Sequence, residues 1–271
     1  MRLASLGMIR IEDAERIRTI TLDRPDRLNA FSEALYDAAT DALIDAAADP
    51  GIAVVVMTGT GRAFSAGADV VEMAARNRGG FTDGKHGFVG FIDQLAAYPK
   101  PFICAVNGVA VGVGATLLAL ADLVLMSSTA RVRCPFTALG VAPEAGSSFT
   151  FPSLMGRQDA TWALMSSEWL SAADCLRNGL AWRVCAPERL LEETLVCARV
   201  LATKPIASLV HTKRTIISAL QEPIAAARER ENEAFRILLG SPANVEALTA
   251  LAERREPDFL TIDADHPVDR A

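Results

Sequence analysis

Between Val106 and Thr116 the chain reads Val-Asn-Gly-Val-Ala-Val-Gly-Val-Gly-Ala-Thr, and this stretch constrains the fold more than any other. It follows Pro101 to Val106, an apolar run with the character of a buried strand. It precedes Ala115 to Ala121, apolar and free of Gly and Pro, long enough for about two helical turns. Glycines at 108, 112 and 114 permit a tight strand-to-helix turn and leave no side chains to block a ligand. The first turn of a helix has unpaired N–H groups at the positive end of the aligned peptide dipoles. A backbone amide near Val113 is therefore placed to hold an oxygen that becomes negative during a reaction. On these residues alone, a glycine-lined packing turn serves equally well. A dinucleotide fingerprint fits worse, because Gly112-x-Gly114 lacks a third glycine and no acid sits roughly 20 residues on to take a ribose.

A chain of 271 residues buries a sizeable core, as one large domain or two small ones. Its 27 basic and 33 acidic residues give a net charge of −6, which disfavours non-specific nucleic-acid binding. Cys104, Cys134, Cys175, Cys185 and Cys197 are scattered, odd in number and without CxxC spacing. They fit buried thiols in a reducing cytoplasm better than a disulfide framework or a zinc site. Charges at Arg2, Arg10, Glu12 and Asp13 argue against a signal peptide. The most apolar run, 101–126, carries Asn107 and Asp122 and reads as α/β core, not a membrane span.

In order, Met8 to Glu12 and Arg16 to Leu22 alternate around Asp13-Ala14 and predict an opening hairpin. Ser32 caps a helix that runs to about Ala48 and stops at Asp49-Pro50-Gly51. Ile52 to Met57 is a strand, and Phe64-Ser65-Ala66-Gly67-Ala68-Asp69 follows at its C-terminal end, where open α/β sheets place ligands. Residues 76–87 read as a loop over a pocket, and a helix spans about 88–97. Leu123 to Met126 is a second buried strand, and Val132 to Leu139 is short and irregular. The turn around Glu144 opens a helix reaching Met155. From Ser171 the chain is mostly helical, with one short strand near Trp182 to Cys185. Pro205, Pro223 and Pro242 mark helix starts, and 257–271 is a loose tail.

Four pieces in the right order carry a resemblance. They are Asp23-Arg24-Pro25 with Leu28-Asn29-Ala30, the Phe64 to Asp69 segment, Lys100-Pro101 with Ala105-Val106-Asn107-Gly108, and the glycine turn. Over nearly its whole length the chain resembles the crotonase (enoyl-CoA hydratase/isomerase) superfamily. The resemblance implies an α/β fold, a spiral of ββα units over residues 1–200, with a helical region at 201–271 that makes a homotrimer or a dimer of trimers. It implies an acyl-CoA thioester as substrate, with coenzyme A part of the substrate, no separate cofactor and no metal. By position, the oxyanion hole consists of the Ala68 and Val113 amides. Arg27, Leu28, Ala30, Ala66, Gly67, Asp69, Gly112, Thr116 and Phe136 are the other substrate-binding positions. The chemistry explains the amides: removing a proton beside a thioester pushes charge onto the carbonyl oxygen, and each preorganised donor there is worth roughly 3 kcal/mol.

Carboxylates decide the reaction. The two glutamates of the family's hydratases correspond to Thr116 and Phe136, and neither is a general base. The stretch Pro135 to Ser148 resembles peroxisomal-type 3,2-enoyl-CoA isomerases, in which the glutamate of a Pro-Glu pair is the base, and this implies Glu144. One carboxylate suffices to move a proton from C2 to C4 through a dienolate. A hydratase-like or otherwise divergent crotonase reaction and a non-catalytic acyl-CoA-binding protein stay open. Without the resemblance, Glu144 reads as a carboxylate favourable at a helix N-terminus. Asp69 reads as holding the oxyanion loop or capping a helix. Arg27 and Lys213 are candidates for CoA phosphates, with an exposed, solvated role as the default. Ser65 lacks a nucleophile elbow, and His86, His211 and His266 do not suggest a triad. Trp162, Trp169 and Trp182 read as packing or interface residues.

Overall fold

The computed structural model of the chain describes residues 2–77 and 82–265. Its strands are β1 (Arg2–Leu6), β2 (Ile9–Ala14), β3 (Ile17–Leu22), β4 (Val54–Gly59), β5 (Ala63–Ser65), β6 (Phe102–Val106), β7 (Val109–Val111), β8 (Leu123–Ser127), β9 (Arg131–Arg133), β10 (Trp169–Ser171) and β11 (Arg183–Cys185). They form a seven-stranded sheet in the order β1-β2-β3-β4-β6-β8-β11 and a four-stranded sheet in the order β10-β9-β7-β5. Each of β4, β6 and β8 lies in the large sheet and is followed at once by β5, β7 or β9 in the small one. Pairings along this series are parallel in both sheets, so the chain winds through repeated ββ turns, most followed by a helix. This is the spiral of repeated units that the resemblance implies.

The helices are α1 (Glu33–Ala48), α2 (Val70–Asn77), α3 (Gly87–Ala96), α4 (Val113–Thr116), α5 (Ser147–Met155), α6 (Arg157–Met165), α7 (Ala172–Asn178), α8 (Leu190–Ala202), α9 (Ile206–Leu238), α10 (Pro242–Glu253) and α11 (Phe259–Asp265). Strands β4 and β6 are buried on both faces, as parallel strands covered by helices must be. Val55, Met57, Cys104 and Val106 join the main core. Val54, Val56, Ile103 and Ala105 turn the other way, onto a core closed by Leu190, Ala198 and Ala202 of α8.

Ser32 caps α1 as expected, its Oγ accepting from the Leu35 amide at 3.2 Å. The hairpin expected to open the chain is β2–β3, it is preceded by an unexpected β1 paired antiparallel with β2, and it turns two residues later than expected, at Glu15 and Arg16. Both have positive φ, 52° and 64°, the backbone of a tight hairpin turn. Other expectations are corrected too. The predicted helix over 115–121 is α4 plus a 3-10 turn at Leu117–Leu120. The loop predicted from 76 begins inside α2, and its residues 78–81 lie outside the described residues. The tail carries α11, with His266 and everything beyond it outside the described residues. Pro205 and Pro242 do start helices, but Pro223 lies inside α9. An interior proline costs about 3 kcal/mol in a helix. Anchors on either side of it offset that cost. Lys213 donates to Asp122 at 2.7 Å, and Glu231 accepts the Gly146 and Ser148 amides.

Candidate active site

Two turns of the small sheet abut. A Cβ on Gly67 (φ 89°) would lie 2.8 Å from the Val111 carbonyl oxygen and 3.6 Å from the Gly112 Cα, so only glycine permits this approach. Gly112 itself, at φ 53° and ψ −123°, holds a conformation open to glycine. The hydrogen bonds around these glycines leave chosen amides over. Phe31 donates to the Gly67 oxygen at 2.7 Å and accepts from the Asp69 amide at 2.9 Å, a parallel bridge that leaves the Ala68 N–H without an acceptor among the described residues. The Gly112 N–H goes to the Arg133 oxygen, and the Gly112 carbonyl accepts from Ala115 and Thr116. The Val113 and Gly114 amides in the first turn of α4 likewise have no acceptor among the described residues. Two adjoining turns thus each present unpaired main-chain donors, the arrangement that stabilises an oxyanion.

The loop before α1 is fixed from within. Asn29, fully buried, accepts from the Arg24 amide at 2.9 Å and donates to the Thr60 and Ala63 oxygens at 3.0 and 2.8 Å. The Ala66 amide bonds the Leu28 oxygen, tying this loop to the Ala68 turn. Asp69 holds Arg24 at 3.1 Å and accepts from the Val71 amide at the start of α2, the loop-holding and capping role expected of it.

A cavity of about 280 Å³ opens beside Ala68, walled by Phe31, Tyr36, Met73, Phe88, Phe235 and Leu239. Among the described residues four carboxylates line it: Glu33, Asp69, Glu72 and Glu144. Three are engaged, Glu33 by the Gly84 amide, Glu72 by the Glu33 amide, and Asp69 by Arg24. The Glu144 carboxylate alone among them accepts no hydrogen bond and no ion pair among the described residues. Burial, and secondarily the nearby charge of Glu231, pushes its proton affinity up from the usual 4.5 to about 8.

The structure therefore brings Ala68, Asp69 and Glu144 to one cavity. Gly67 shares the turn of Ala68, and Gly112 and Val113 stand in the adjoining turn, Val113 with its side chain in the core. Arg27 is exposed on the loop before α1, Leu28 is half-buried and Ala30 is buried. Ala66 lies between that loop and the Ala68 turn. Thr116 and Phe136 are buried and off the wall of the cavity, the Thr116 hydroxyl without a hydrogen-bond partner among the described residues. Lys213 is corrected: it is buried, donating to Asp122 and to the Lys100 oxygen at 3.0 Å, and does not reach out to a phosphate. The sequence reading missed Glu72, Phe88, Glu231, Asn232 and Phe235. Their only signal was amphipathic helix periodicity, which does not say what the face meets.

The family model for enoyl-CoA hydratase/isomerase matches residues 12–261. The chain belongs to that family, and it is an acyl-CoA enzyme of the crotonase superfamily. It is 32% identical over 250 residues to a probable enoyl-CoA hydratase of Rhizobium meliloti, covering 92% of this chain and 96% of that one. It is also 32% identical, over 247 residues, to the 1,2-epoxyphenylacetyl-CoA isomerase of Escherichia coli, covering 90% and 94%. Among solved structures, an enoyl-CoA hydratase/isomerase of Pseudoalteromonas atlantica matches with a TM-score of 0.88 at 32% identity, over 93% of this chain and all (100%) of the other. An enoyl-CoA hydratase of Mycobacterium marinum shares 57% identity over 78% of this chain and 99% of its own, with a TM-score of 0.75.

Proposed function

We propose that the protein is a 3,2-enoyl-CoA isomerase in which Glu144 moves the proton and the Ala68 and Val113 amides hold the thioester oxygen. One observation carries the reading: of the four acids that the described residues place on the cavity, Glu144 alone is uncommitted among them. A proton affinity near 8 suits a base that must take a weakly acidic C2 proton and give it back at C4. The oxyanion amides stabilise the dienolate between the two transfers. The apolar wall from Phe31, Tyr36, Phe88 and Phe235 suits the acyl group. Hydration is the second reading, favoured by relatives named as hydratases. It would have to run without an acid at positions 116 and 136. Incubation with 3-enoyl-CoA and, separately, with 2-enoyl-CoA decides between them. Fast isomerisation with little hydration is expected, and the reverse would overturn the isomerase reading.

The base acts only when ionised, so its activity belongs above its pKa. kcat/KM for isomerisation is expected to rise about tenfold per pH unit below a midpoint of about 8 and to level off above it. A profile already flat from pH 5 would mean that the base is an ordinary exposed carboxylate.

The assembly proposed is a homotrimer or a dimer of trimers. Trp162, Met165, Ile216 and Ile237 are large apolar side chains left exposed on α6 and α9, as a subunit contact would require. Sedimentation at micromolar concentration is expected to give a trimeric or hexameric mass. A stable monomer would count against it.

A further inference from the structure

The carboxylate nearest in effect to Glu144 does not line the cavity. Glu231 sits on α9, buried, and accepts from the Gly146 amide at 2.7 Å and the Ser148 amide at 2.7 Å. Those amides flank the start of α5, directly after the Pro143-Glu144-Ala145-Gly146 turn. The turn is held in an unfavourable backbone: Ala145 and Gly146 are left-handed in succession, at φ 61° and 76°. A non-glycine residue in that region persists only where its surroundings hold it. Glu231 supplies that hold, together with Ile224 and Arg228 of the same helix packed against Gly146. The next residues along α9, Asn232 and Phe235, with Leu239 just past its end, line the cavity itself. One helix therefore carries both the clamp on the base's turn and part of the wall that meets the acyl group.

We propose that Glu231 is the positioning residue of this site: its carboxylate clamps the 144–148 turn through two main-chain bonds and so aims Glu144 into the cavity. The inference rests on Glu144 being the base. Glu231 touches no reacting atom, and its charge also bears on Glu144. The other titratable groups near Glu144 are the engaged acids Glu33, Asp69 and Glu72, which line the same cavity, and the buried Cys134 thiol, on which its charge acts; Arg228, on the same helix as Glu231, pairs with Asp93 at 2.7 Å. Glu231 is the acid whose field raises the Glu144 proton affinity after burial itself. A glutamine at 231 would offer one acceptor and one donor to two N–H groups, losing one bond and the charge together. An aspartate would keep the charge but fall a methylene short.

The test compares E231Q and E231D in the full-length protein. The Glu144 titration is read by carbon NMR of carboxyl-labelled glutamate without substrate, its signal assigned by loss in E144Q. Steady-state isomerisation of 3-enoyl-CoA is followed alongside. In E231Q the Glu144 midpoint is expected to fall by at least about one pH unit. The plateau kcat is expected to drop about tenfold while KM stays within about twofold. In E231D the midpoint stays near the wild-type value while kcat still drops. A wild-type midpoint and kcat in E231Q would overturn the proposal. So would an E231D midpoint displaced as far as that of E231Q, since general loosening would then explain both. If E231Q does not fold, E231D decides alone, and unchanged kcat there overturns it. The titration needs no turnover, so it separates failure of this proposal from failure of the isomerase reading.

Discussion

Glu144→Gln is expected to lower 3-enoyl-CoA isomerase turnover by about 10²–10⁴ while leaving acyl-CoA affinity nearly unchanged. Glutamine keeps the shape but cannot accept the C2 proton. Among the described residues no second carboxylate on the cavity is free to replace it, since Glu33, Asp69 and Glu72 each hold a main-chain amide or an arginine. Affinity should survive because the apolar wall and the unpaired Ala68 and Val113 amides are untouched. The variant carries a second, independent signature. A carboxyl whose folded pKa is raised keeps its proton to about pH 8, whereas in the unfolded chain it ionises near the usual 4.5. Between those values the native state binds more protons, so wild-type stability falls as pH rises through this window. Glu144→Gln removes that loss, and thermal melting should show its advantage growing from pH 5 to about 8. Near wild-type isomerisation in this variant would move the base elsewhere.

How much of this was legible in the sequence depends on how far each feature reaches. The Ser32 cap and α1 were read correctly because the signal and its consequence lie within one turn. The glycine turn was legible for the same reason, and so was the Gly67 segment. Strands β5, β9 and β10, three residues each, offer too little alternation to be read alone, so the small sheet was invisible. Glu144 was singled out by the resemblance. Its isolation from hydrogen-bond partners appears only once the other acids on the cavity are placed. The hold on its turn comes from Glu231, more than eighty positions away, and no local pattern marks such a contact. Lys213 fails in the same way, since Asp122 lies 91 positions back. Pro223 misled because proline usually interrupts a helix, whereas here contacts on both sides hold α9 through it.

Val113→Pro should lower turnover at least about a hundredfold, the loss expected for one oxyanion donor. The structure makes this substitution cleaner than the sequence alone suggests. Val113 is the first residue of α4, and proline is well accommodated at a first helical position because the missing N–H has no helical partner. The residue before it is Gly112, whose lack of a Cβ relieves the usual clash ahead of a proline. What the substitution removes is therefore chiefly the unpaired amide. Val113→Ala makes the opposite separation. The valine side chain is only 1% exposed within the main core, so trimming it should cost on the order of 1–3 kcal/mol of stability. The amide remains, and turnover per folded molecule should stay close to wild type. The two variants thus dissociate donor from side chain: both lose the packed valine, but only Val113→Pro should be slow per folded molecule. Measuring kcat together with the melting temperature in both tests this directly. Equal losses of turnover in the two would show that the side chain matters and that the amide is not the oxyanion donor.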